Sequence, residues 1–96
     1  MNAIERAQKA ERILNDEIFK EAFESVRQAL LNKFETAPVN DAEGMAKIRL
    51  CLKLLSDVKA NLVSVLNDGK VAEFEMQEKK RVANLADYNT NPRFRR

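Results

Sequence analysis

Histidine and tryptophan are absent from this sequence, cysteine occurs once, and glycine and proline occur twice each. Each shortage closes a class of function. Without histidine there is no Ser–His or Cys–His nucleophile pair, no His-containing zinc site and no ordinary proton shuttle at neutral pH. A lone thiol, Cys51, makes neither an intrachain disulfide nor a structural zinc site, so nothing points to a secreted, stapled fold. So few Gly and Pro residues do not suit the turn-dense layout of a small β protein. No apolar run nears the ~20 residues of a membrane span, and no signal-like apolar segment opens the chain. These absences lead us to expect a protein with no catalytic residue, cofactor, metal ion or membrane contact, used in a reducing cytoplasm.

What remains is helical in character. Apolar residues make up 45% of 96 residues, enough for one small domain that buries about two-thirds of its unfolded surface. The formal charge of +2 is uneven. Residues 1–36 carry −1, residues 37–69 are neutral, and residues 70–96 carry +3, much of it in "NPRFRR". A basic end of this kind suits phosphate or an acidic protein face.

Asn2 and Glu5 have capping-box spacing, and nothing obvious interrupts a helix from about 2 to 36. Its main feature is an i, i+4 row of Leu14, Ile18, Ala22, Val26, Leu30 and Phe34. Each step advances about 40°, so the row winds through roughly 200°, more than one straight partner helix covers. Phe19 and Phe23 widen it. The first turns offer only Ala3, Ile4, Ala7 and Ala10, which suits either close packing through small residues or a projecting arm. Glu17, Glu21 and Glu24 share a face, with Lys20 and Arg27 within one turn, a pattern of surface pairing rather than metal binding.

Pro38 ends this segment, and Asn40 or Asp41 caps the next, a helix over about 42–67. Its stripe is Ile48, Cys51, Leu52, Leu55, Val58, Leu62, Val65 and Leu66, which places Cys51 as a small buried hydrophobe. The Gly–Lys pair in "LNDGKV" is no phosphate loop, since that needs two glycines and a preceding strand. Asn67, Asp68 and Gly69 read instead as a helix stop, with Gly69 at a left-handed C′ position. The competing expectation is one helix running through Gly69, in which Gly69→Ala would stabilise. A third helix over about 70–88 follows, with Val71, Phe74, Val82 and Leu85 on one face and Glu78 among them. Residues 89–96 read as a disordered basic tail. The tripeptide Leu-Asn-Asp at 14–16 and 66–68 has no matching flanks and reads as coincidence.

The expected fold is all-α: an antiparallel helical hairpin with a shorter third C-terminal helix, in a single domain over 1–88. Excess apolar surface marks Leu14, Ile18, Phe19, Phe23, Leu30, Phe34 and Phe74 as a candidate protein interface and favours a homo-oligomer. The candidate contacts to nucleic acid or an acidic partner are Lys79, Lys80, Arg81, Arg93, Arg95 and Arg96.

"AERILNDEIFKEAFESVRQALLNKFETAPVNDAEG", the leucine-rich segment after it and "LNDGKVAEFE" resemble a group of small proteins that tailed bacteriophages encode near their capsid and packaging genes. The resemblance covers roughly residues 10–75, through "A-x-x-I-L-x-D-x-x-F", the mid-chain proline and "G-K-x-A". It implies an accessory or structural role in phage assembly or infection, in the host cytoplasm or the virion, with no catalytic residues to transfer. The expected function is therefore oligomerisation or docking on a phage or host assembly. The alternatives are a nucleic-acid-binding packaging or regulatory factor and a host-directed phage inhibitor.

Overall fold

A computed structural model describes the backbone of residues 1–90 and the side chains of residues 1–85. Within them the chain forms α1 (Ala3–Asn15), α2 (Glu17–Thr36) and α3 (Ala42–Thr90), with no strand among the described residues. Asn2 opens α1 as its spacing predicts: its backbone is extended and its side-chain oxygen accepts from the Glu5 N–H at 2.8 Å.

The helix expected over 2–36 is broken once, at Asp16. This residue leaves helical geometry at φ −67°, ψ 126° and serves both neighbours. Its N–H donates to the Ile13 carbonyl at 3.2 Å, closing α1. Its carboxylate accepts from the Phe19 N–H at 2.8 Å, opening α2. A short acidic side chain competes well for the free N–H groups of a first turn, so a single residue suffices for the break.

The second break lies where proline puts it. Thr36 donates its hydroxyl to the Asn32 carbonyl, and Ala37, just before Pro38, is extended, as the proline ring requires of its predecessor. The Asp41 N–H then turns back to the Pro38 carbonyl at 2.9 Å, and the Asp41 carboxylate accepts from the Gly44 N–H at 3.0 Å. Of the two candidate caps, Asp41 makes this bond.

There is no stop at residues 67–69. The segments expected as separate helices over 42–67 and 70–88 are one helix of 49 residues, and neither glycine has a positive φ. The backbone of residues 89 and 90, expected in the tail, is helical, while 91–96 lie outside the described residues. Gly69 is buried, and a Cβ placed on it would overlap the Ala7 methyl and sit 2.8 Å from the Ala3 carbonyl oxygen. Its role is to be small. A bare backbone lets α1 approach α3 through Ala3 and Ala7, the close-packing option of the two expected for the N-terminal arm.

Ala7 and Ala10 are the only buried hydrophobic residues among those described, and α2 has no buried residue. The stripe of α3 is half-buried at Ile48, Leu52, Leu55, Leu62, Val65 and Leu66. Cys51, expected inside it, is exposed. The molecule measures 81 × 25 × 23 Å with a radius of gyration of 23.3 Å, against about 12–13 Å for a compact domain of this length. The long axis is essentially α3, whose 49 residues extend about 73 Å at ~1.5 Å each.

Candidate interaction surfaces

Two stretches of surface combine apolar side chains with charge. The first lies between α2 and α3. Phe19 and Phe23, one turn apart on α2, are tilted neighbours with ring centroids 6.0 Å apart. Lys59 of α3 places its ammonium 5.4 Å from the Phe23 centroid, within cation–π range. Below it runs an open groove of about 510 Å³ with Phe23 and Leu31 on one wall and Leu52 and Leu55 on the other. Glu24 and Arg27 stand at its edge, paired at 3.4 Å. The Gln28 amide, donating to Glu24 at 2.9 Å, is the main cause holding that carboxyl below its usual range. Desolvation opposes the shift, while the charges of Arg27 and Lys59 reinforce it.

The second stretch is the far end of α3. Val71, Phe74, Val82 and Leu85 are all exposed, Phe74 at 65%. An open groove of about 540 Å³ runs past Phe74 and Val82, bordered by Glu75, Glu78 and Lys79. Arg81 donates to Glu78 twice, at 2.6 and 3.0 Å.

The residues singled out in the sequence divide between these places. Phe19, Phe23, Leu30 and Phe34 are half-buried along α2, as is Leu14 on α1, whereas Ile18 is 71% exposed. The break at Asp16 explains the difference, because it ends the continuous row before Ile18 and gives α2 its own facing. Phe74 belongs to the other end of the molecule, so the seven candidate interface residues form no single patch. In the basic set, Lys79 and Lys80 are exposed and Arg81 is engaged by Glu78. Arg93, Arg95 and Arg96 lie outside the described residues. Sequence reasoning missed the Lys59–Phe23 stacking, which depends on how α2 and α3 are placed.

No group of three or more potential metal ligands occurs among the described residues, and no described helix is long and apolar enough to cross a membrane. No protein-family model, curated protein or solved structure matches the chain.

Proposed function

We propose that this is a non-enzymatic helical protein that works by associating with itself or by docking on a larger protein assembly. The observation that carries the reading is the imbalance between what is buried and what is exposed. The accessible surface is 8076 Å², where a compact monomer of 11.0 kDa exposes about 5,600 Å². Among the described residues fourteen large hydrophobic side chains are exposed, and Ala7 and Ala10 are the only hydrophobic ones buried. Water-facing apolar surface on this scale favours association, since ordinary monomers leave only small patches uncovered.

The arrangement we propose for one copy is an antiparallel helical hairpin. It is supported by α1 meeting α3 near Gly69 while α2 meets it near Leu52 and Leu55. The absence of histidine supports a non-catalytic role. The resemblance of residues 10–75 to accessory proteins of tailed phages supports a phage particle or an infected host cell as the setting. Sedimentation velocity of the purified chain tests the reading: it predicts species larger than 11 kDa, or a weakly folded monomer that a partner stabilises. A clean monomer with a high melting temperature overturns it.

A further inference from the structure

The geometry points to residues 71–85 of α3 as a self-complementary surface that pairs antiparallel with the same segment of a second copy, about a two-fold axis at Glu78. The inference rests on the assembly reading above and names its partner and register.

The segment is uncovered for a structural reason. The first turns of α1, at Ala3 and Ala7, meet Gly69, so α3 runs on past the start of α1. Among the described residues α3 is the last helix, and Val71, Phe74, Val82 and Leu85 on this part of it are all exposed. At about 100° per residue, Val71, Phe74, Glu78, Val82 and Leu85 fall some 140–220° around the helix from Gly69. A second copy can therefore approach this stripe without displacing α1.

Three features select a second copy as the occupant. The spacing of the stripe is 3, 4, 4, 3, which reads the same in both directions. Antiparallel pairing about Glu78 thus sets Phe74 opposite Val82 of the second copy and Val71 opposite Leu85, a larger side chain against a smaller one each time. The charges follow the same symmetry. Glu73 and Glu75 precede the centre and Lys79, Lys80 and Arg81 follow it. Glu75 and Lys79 border the same groove, so across the axis Glu75 of one copy comes alongside Lys79 of the other. Parallel pairing would set acid beside acid and base beside base, which is destabilising. Such self-complementarity is what a two-fold interface demands.

Glu78 lies on the axis, where two bare carboxylates would repel. Each is instead held by its own Arg81 through bonds of 2.6 and 3.0 Å, so two ion pairs meet there. A polar layer at this position fixes register, as a single buried polar residue does in coiled coils. The overlap is about 21 Å long, a small interface, and the expected dissociation constant is on the order of micromolar.

Disulfide trapping on the full-length chain tests the inference, with Cys51→Ser to remove the native thiol. Under mild oxidation Glu78→Cys should cross-link to its own twin. Val71→Cys alone should not, while a mixture of Val71→Cys and Leu85→Cys chains should give the heterodimer. Phe74→Glu should weaken association about 30-fold or more while leaving helix content unchanged. Glu75→Lys and Lys79→Glu should each weaken it, and the double exchange should restore it. Self-cross-linking at Val71→Cys as readily as at Glu78→Cys overturns the antiparallel register. Association by sedimentation without any of these cross-links overturns this surface but leaves the assembly reading standing. A stable monomer at all concentrations overturns both.

Discussion

Leu-Asn-Asp occurs twice in this chain, and the two copies have opposite outcomes. At 14–16 the tripeptide ends one helix and starts another, although Glu17, a good helix former, follows it. At 66–68 it runs through an unbroken helix, although glycine follows it. Intrinsic preference alone points the other way for the second copy. The difference lies in what packs against each. Around Gly69 the backbone of α3 is pressed by Ala3 and Ala7 of α1, and only a continuous helix with a bare position can accept that approach. At Asp16 the interruption ends the apolar row that would otherwise wind out of reach, leaving α1 and α2 to face α3 separately.

The comparison breaks most sharply at Gly69. Gly69→Leu forces a branched side chain into the Ala7 contact and should cost about 3 kcal/mol, read as a lowered melting temperature with the helical signal of isolated α3 retained. Gly69→Ala should cost about 1–3 kcal/mol, because the added methyl overlaps Ala7, outweighing the ~1 kcal/mol that helix propensity returns. A stabilised alanine variant would show that α1 does not sit against α3.

Leu55 and Leu62 come next. Both are half-buried, so truncation to alanine should cost about 1–2 kcal/mol in urea melts, below the ~2–5 of a full core position. The two aspartates sharpen the comparison further. Asp16→Ala removes the cap of α2 and should cost about 1 kcal/mol. Asp68→Ala, inside α3, should be neutral or slightly stabilising, since alanine is the better helix former there. Equal losses at both sites would mean that the second tripeptide also caps a helix.

Much of the fold was legible because its signals are local. Asn2 supplies the N-cap oxygen its spacing promised, Asp41 is the one of the two expected caps that supplies the next, and proline at 38 left no choice. The leucine stripe of the second segment is largely the half-buried one. What stayed hidden depends on contacts between distant segments. Gly69 reads as a stop until Ala3 and Ala7 are seen to need a glycine opposite them, and Asp16 reads as a solvated helix residue until α1 and α2 are seen to part. Cys51 fits the apolar stripe by angle yet is exposed, while Leu52 and Leu55 beside it are half-buried opposite α2. The residues marked as a candidate interface divide between two places, because α3 runs on through Gly69 and carries Phe74 away from α2.

The smallest effect concerns Glu24. Its carboxyl is held below the ordinary range, chiefly by Gln28, so its stabilising contribution is present above the unfolded-state value and lost as pH falls through the folded one,. Because the carboxylate is exposed, Gln28→Ala should raise its titration midpoint, followed by NMR, with little change in the melting temperature.

The central claim is that one copy lacks a core sufficient for its own apolar surface, and that association supplies the rest. The most direct measurement is the melting temperature across a hundredfold range of protein concentration. Association linked to folding predicts that it climbs steadily with concentration. A high, cooperative melting temperature that stays constant down to the lowest concentration would contradict the account.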